Sequence, residues 1–265
     1  MQATWQDMAI DDSARPLPSV RIYEGAARLK SPPLVLYLGG GAFQQAPLPA
    51  TESPVARALA DRGAVVVEAD YGGEVRNTFP QAMEYVFKVL SCLSNRRKLF
   101  GSAKSSLFVA GQEAGGNIAA GVALKARDQI PGQLAGQVLL SPMIDPLMTS
   151  GSFRKASEIG MLQRWSQGWS HYLRSACGFS HPYAAPCLCS RLAGVAPALV
   201  MTAEDDPLKD EALSYAKRMA EAGVKVEQRI LPAGQGWTDM YRGEGGAWID
   251  VVCDEFAAFT SKLKH

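Results

Sequence analysis

The chain has almost no net charge: 27 lysines and arginines meet 26 aspartates and glutamates, leaving a formal +1 over 265 residues. So even a balance gives no electrostatic reason to expect a nucleic acid or an anionic membrane surface as partner. Cysteine is sparse, five in all, and an odd number without regular spacing excludes a disulfide framework. No apolar run approaches the roughly 20 residues that a bilayer-crossing helix needs. LVLYL and VVV are strand-sized and are bounded by charged residues or glycines. The opening MQATWQDMAIDDSARP lacks the basic and apolar segments of a signal peptide, so a cytoplasmic, reduced protein is expected. What the chain does have is core: 47% of its residues are hydrophobic, enough for one α/β domain of ordinary size.

Ahead of Leu34 the pattern is irregular, with SVRIYEG as a candidate edge strand and KSPP as a turn. From Pro33 onward a short apolar segment is repeatedly followed by helical spacing, the signature of a mostly parallel sheet covered on both faces. LVLYL enters the turn Gly39–Gly41, ESPVARALADRG reads as a helix stopped at Gly63, and Ala64 to Glu68 reads as the next strand. The alternation continues through SSLFVAG, NIAAGVALKARD and LAGQVLLSP, and resumes later with APALVMTAEDD, PLKDEALSYAKRMAEAG, VKVEQRILP and GAWIDVVCDEFAAFTSKL. Between them, roughly residues 144–189, the regularity breaks in what reads as an excursion over the top of the sheet. One domain, 1–265, is expected, with that excursion as a small helical cap and the N-terminal segment as a candidate contributor to it.

The stretch FVAGQEAGGN, from Phe108 to Asn117, has the strand, glycines and following helix of a nucleophile elbow, G-x-S-x-G, but carries Glu113 where the serine belongs. Together with LYLGGGAF, LLSPMID, HPYAAPCLCSRLAGVAPALVMTAEDDPLKDEAL and LPAGQGWTDM, it resembles the α/β-hydrolase superfamily, in particular the bacterial branch related to hormone-sensitive lipase, over nearly all of Pro33 to Leu263. The resemblance implies an eight-stranded, mostly parallel sheet flanked by helices, a helical cap, and an ancestry among esterases of small acyl esters. It also exposes departures. Leu38 stands where the motif histidine precedes the three glycines, and Gln112 replaces the acidic residue before the nucleophile. Asp206 matches the acid of D-P-L-x-D-E. Trp237 stands where the last segment should carry its histidine, or Gly236 if that loop is one residue shorter. Neither can accept a proton.

Serine-esterase chemistry needs a hydroxyl, an imidazole and an orienting carboxylate, and only the carboxylate remains. Asp206 reads either as the remnant catalytic acid or as a cap on the helix that starts near Pro207. Glu113 reads as a vestigial or ligand-binding anion favoured by the helix N-terminus, as a general base, or as a covalent nucleophile. Its extra methylene carries its carboxylate farther than a serine oxygen, into space meant for a substrate carbonyl. The resemblance assigns the oxyanion hole to Gly39, Gly40 and the N–H of Ala114, a nest that Glu113 itself is placed to fill. Leu38, Gln112, Trp165, Trp169 and Trp237, with Tyr172, are candidate pocket residues. His171, in the cap, His181 and His265 read as surface or packing residues rather than a relocated base. A metal set of His181, Cys187 and Cys189 lacks the usual C-x₂₋₄-C spacing and second pair, so neither metal nor cofactor is expected. Conventional esterase activity is therefore expected to be lost or very weak. The alternatives are a noncatalytic module binding a small apolar or carbonyl-containing ligand or a protein partner, and a divergent enzyme using Glu113 on a carbonyl compound. Homodimerisation is open.

Overall fold

The computed structural model describes residues 4–12, 15–26, 29–44, 52–72, 77–174 and 180–263. Eight strands form one sheet: β1 (Thr4–Asp12), β2 (Arg15–Glu24), β3 (Leu34–Leu38), β4 (Val65–Ala69), β5 (Leu107–Gln112), β6 (Gly136–Leu140), β7 (Ala198–Ala203) and β8 (Val226–Leu231). Their order across the sheet is β1-β2-β4-β3-β5-β6-β7-β8. The pairs from β4 through β8 are parallel, while β1–β2 and β2–β4 are antiparallel. Strands β3, β4, β6 and β7 are buried along their whole length. That burial explains why they are largely apolar runs rather than alternating ones, interrupted by the buried Glu68, Gln137 and Thr202: helices cover both faces.

Helices α1 (Pro54–Asp61), α2 (Gln81–Asn95), α3 (Arg97–Phe100), α4 (Glu113–Gln129), α5 (Leu162–Tyr172), α6 (Lys209–Glu221) and α7 (Trp248–Lys262) complete the domain. Helix α1 packs on α7, and α2 on α4. Helix α4 is buried from Glu113 to Ala126, which fits its alanine- and glycine-rich sequence: small side chains let it lie close to β5 and β6. In the 144–189 excursion a 3-10 turn (Ser152–Ser157), α5 and a shorter 3-10 turn (Pro186–Leu188) replace the alternating pattern. Among the described residues no helix is long and apolar enough to cross a membrane.

Two expectations are corrected. SVRIYEG is not an edge: it lies in β2, between β1 and β4, and the edge is β1. Residues 4–12 and 15–24 belong to the sheet as two antiparallel strands, not to the cap. The polar segment TWQDMAIDD is a strand because β2 supplies its ladder, which is a long-range cause that local composition does not carry.

Candidate functional site

The site is built where β5 turns directly into α4. Glu113, first residue of α4, has φ of 52°, a left-handed conformation that is rare for a side chain of its size. The turn is held because the strand and helix approach so closely. A Cβ on Gly115 would run into the carbonyl oxygens of Leu38 and Gly39. The elbow geometry thus persists with a glutamate at its tip.

The side chain of Glu113 points inward and is 1% exposed. Its Oε2 accepts from the backbone N–H of Gly41 and from that of Ala42 at 3.1 Å, and its Oε1 accepts from Trp165 Nε1 at 2.5 Å. Gly41, Ala42 and Phe43 all have positive φ (119°, 53° and 57°), which turns consecutive N–H groups toward one point and makes an anion-binding nest. Aromatic packing from the cap holds the turn in place. Phe43 stacks on Tyr172 with ring centroids 4.2 Å apart and packs against Trp169 at 4.8 Å. Below it, Tyr71 donates from its hydroxyl to the carbonyl of Gly39 at 2.5 Å. Burial, reinforced by the Glu113 carboxylate, pushes the Tyr71 phenol well above its usual range and keeps it a neutral donor.

Asp206 forms a second closed centre. It is fully buried. Its Oδ2 accepts from Ser141 Oγ, from Thr202 Oγ1 at 2.8 Å and from Trp237 Nε1 at 3.0 Å; its Oδ1 accepts from Tyr241 OH at 2.6 Å and from the N–H of Leu208 at 2.9 Å. Five donors on one carboxylate satisfy both oxygens, which is what makes a buried charge tolerable. The indole N–H of Trp237 thus stands on the carboxylate that an imidazole N–H would occupy in a triad, and it also reaches Ser141 Oγ at 2.8 Å. Trp237 is itself fully buried and meets Trp248 edge to face at 5.4 Å. Helix α6 begins at Lys209 without a side-chain cap, so Asp206 holds the loop before the helix rather than its first turn.

Between the two centres sits Tyr241, whose ring meets Trp165 edge to face at 5.1 Å. Burial first, then Asp206, and more weakly Glu113, push its phenol well above the ordinary value. Among the described residues no histidine hydrogen-bonds to Glu113 or Asp206. His181 packs at a tilt against Phe79 and Tyr183, and its Nδ1 accepts from the N–H of Tyr183 at 3.1 Å. Burial, with Lys125 nearby, pushes its imidazolium below the usual range. His171 lies in the last turn of α5, and neither carboxylate has it as a hydrogen-bond partner. His265 lies outside the described residues.

A cavity of about 390 Å³ opens next to this core, lined among others by Tyr37, Gly40, Gln112, Met240, Tyr241 and Trp248. Gln112 is set at its wall by Tyr37, whose hydroxyl donates to Gln112 Oε1 at 2.7 Å. Of the residues expected around a pocket, Gly39, Gly40 and Gln112 do line this cavity. Leu38, Trp165, Trp169 and Trp237 are instead buried inside the protein, and Ala114 is buried in the first turn of α4. The N–H groups that meet the Glu113 carboxylate belong to Gly41 and Ala42 rather than to the Gly39, Gly40 and Ala114 set. Sequence reasoning also passed over Ser141, Thr202 and Tyr241. The first two sit at the C-terminal ends of β6 and β7, the side of an open α/β sheet where sites gather, and that position was their only signal. His181, Cys187 and Cys189 do not assemble into a metal set: Cys187 Sγ faces Asp145 at 3.9 Å and Cys189 Sγ donates to the carbonyl of Arg191 at 3.2 Å. Among the described residues no three His, Cys, Asp or Glu side chains are grouped to hold a metal ion.

Residues 35–235 match the model of a family described by its alpha/beta hydrolase fold. The carboxylesterase NlhH of Mycobacterium tuberculosis is 31% identical over 214 residues, spanning 78% of this chain and 67% of that protein. A gibberellin receptor of Arabidopsis thaliana is 27% identical over 247 residues, spanning 86% of this chain and 69% of the receptor. Among solved structures, the esterase LipW from Mycobacterium marinum superposes with a TM-score of 0.82 at 28% identity, over 99% of this chain and 82% of that one.

Proposed function

The chain belongs to the alpha/beta-hydrolase-fold family, with esterases among its relatives, and from that premise we propose that it is a noncatalytic member in which a closed hydrogen-bonded core has replaced ester hydrolysis. One observation carries this reading: the Glu113 carboxylate saturates the Gly41 and Ala42 N–H pair. These two N–H groups lie beside the Gly39, Gly40 and Ala114 set rather than in it, and they fix the carboxylate against the glycine turn, where a Cβ on Gly40 would meet Glu113 Oε2 at 2.5 Å. The negative charge that develops on an ester oxygen in the transition state would face that anion there. Trp237 supports the reading from the other side, because an indole N–H donates to Asp206 and has no lone pair with which to take a proton from a nucleophile. A Glu113 nucleophile or base is disfavoured by the same geometry, since both its oxygens are engaged and it is 1% exposed.

In this role the protein binds a small apolar or carbonyl-containing molecule in the cavity lined by Tyr37, Met240 and Trp248, whose size of about 390 Å³ suits a small ligand. A relative named as a gibberellin receptor is a precedent for binding in this family. A cytoplasmic location is part of the proposal. The test is hydrolysis of p-nitrophenyl acetate and butyrate by the purified protein. The expected result is no saturable rate above buffer. A saturable rate that disappears in Glu113→Gln would replace this reading with a divergent enzyme using that carboxylate.

A further inference from the structure

A second cavity, about 150 Å³, lies between the segment that follows β6 and the first turns of α6, and it shares no lining residue with the larger one. Asp145, Ser150, Cys187, Glu211, Tyr215 and Arg218 are among the residues around it. Three of these leave a buried polar atom without a hydrogen-bond partner: Ser150 Oγ, Glu211 Oε2 and Tyr215 OH. Glu211 is 5% exposed and Tyr215 1%, so neither side chain is bathed by bulk water. Natural proteins rarely leave such atoms unpaired, and three from residues around one cavity suit a polar ligand.

The charge around the cavity says which kind. Asp145, Asp210 and Glu211 face a single guanidinium, Arg218, and Arg218 is turned away onto the carbonyls of Cys187 and, at 2.5 Å, Cys189. The far oxygen of Glu211 is pinned by the N–H groups of Ile144 at 2.7 Å and Asp145 at 3.5 Å, which leaves Oε2 as an acceptor with nothing to accept. A calcium ion wants six to eight oxygens, several of them carboxylate, and no three Asp, Glu, His or Cys side chains among the described residues are grouped for a metal. A primary ammonium has three N–H donors and one positive charge. We propose that this cavity binds a primary ammonium group, as ammonium itself or a short alkylammonium, with its three N–H bonds directed to Glu211 Oε2, Tyr215 OH and Ser150 Oγ.

The surroundings of Glu211 give such a site a pH dependence. Burial, with Asp145 and Asp206 adding to it, pushes the Glu211 carboxyl well above its usual range, while the Ile144 and Asp145 N–H groups pull the other way. A cation on Oε2 favours the ionised form, so binding takes up the ligand and releases a proton, and affinity rises with pH through the raised value. The other groups facing the site are Asp210, Arg218 and Cys187, whose thiol burial pushes up to about 12 and so keeps neutral.

Calorimetric titration of the full chain with methylammonium chloride, at constant ionic strength and at mildly acidic and mildly alkaline pH, tests the proposal. Tetramethylammonium, which has the charge but no N–H, and sodium are the comparison ligands. One saturable methylammonium site, tighter at alkaline pH and absent for the two others, is the expected result. Tyr215→Phe should weaken it by about tenfold, the effect of one hydrogen bond to a charged group. Because the phenol has no partner in the empty protein, the same change should leave the urea midpoint unchanged or raised, whereas a purely structural tyrosine would lower it. Failure to saturate, an equal response to tetramethylammonium, an unaltered affinity in Tyr215→Phe, or a crystal structure grown with methylammonium that shows only water in the cavity would each overturn it.

Discussion

Glu113 combines a strained backbone with a fully engaged side chain. A left-handed φ on a non-glycine residue costs on the order of 1–3 kcal/mol, and it persists here because the elbow has no room to relax around Gly115. The carboxylate then brings together three donors from two parts of the chain, the Gly41–Ala42 turn and Trp165 of the cap. Glu113→Ala removes the acceptor for all three. At about 1–3 kcal/mol for each buried donor left bare, the variant should lose on the order of 3 kcal/mol or more in urea unfolding. Formate or acetate should recover part of that loss by refilling the nest, and chloride at equal ionic strength should not. A variant as stable as the parent would mean the carboxylate does not hold the turn. The departure at position 113 was legible in FVAGQEAGGN, but its partners were not. A family motif assigns donors for a serine-bound oxyanion, and the extra methylene of glutamate carries the carboxylate on to the next N–H groups along the turn, those of Gly41 and Ala42.

At the scale of elements, α6 carries a pH dependence that has nothing to do with ester chemistry. Glu211 lies in its first turn with its carboxyl raised well above the usual value by burial. In the unfolded chain it titrates near the ordinary carboxylate value, so as pH rises past that point the unfolded state gives up a proton that the folded state keeps. Stability from the protonated form is therefore whole below the ordinary carboxylate range and lost as pH climbs through the raised folded value. Urea midpoints measured across that interval should fall for the parent protein and fall less for Glu211→Gln, which keeps the shape and cannot ionise. Parallel profiles for the two would assign the slope to other groups. The helix itself was legible, because PLKDEALSYAKRMAEAG carries its period and its glycine stop within one segment. So were the central strands, as apolar runs between turns. Strand β1 was not, since its pairing with β2 is decided by chain elsewhere. Nor was the setting of Glu211, which becomes buried only when the segment after β6 folds across it and its Ile144 N–H reaches the carboxylate.

For the whole molecule, Leu38, Glu113 and Trp237, far apart in the chain, stand where the resemblance places motif residues of other types, and on the proposed reading the sheet, the glycine turn and Asp206 outlast the lost chemistry. On that reading the sheet, elbow and acid need neither a hydroxyl at 113 nor an imidazole at 237 to form, so those two groups should be restorable, but only together. Serine at 113 frees the Gly41 and Ala42 N–H groups and the Trp165 indole from the carboxylate and supplies a nucleophile, yet it has no base. Histidine at 237 meets Asp206 in place of the indole, yet it has no hydroxyl to serve. Groups that act as a unit give non-additive kinetics. Glu113→Ser and Trp237→His alone should therefore leave p-nitrophenyl acetate hydrolysis at the parent level, whereas the double variant should exceed either by about a hundredfold, the smaller end of what a positioned general base contributes. Adding Asp206→Asn should remove the gain, because the amide no longer holds the imidazole in its working tautomer. Far-ultraviolet circular dichroism on each variant separates a dead site from an unfolded one. If the folded double variant is as inert as the singles, the barrier lies in the packed contacts of Trp165, Phe43 and Tyr172 over the turn, and the cap rather than the missing side chains is what closed the site.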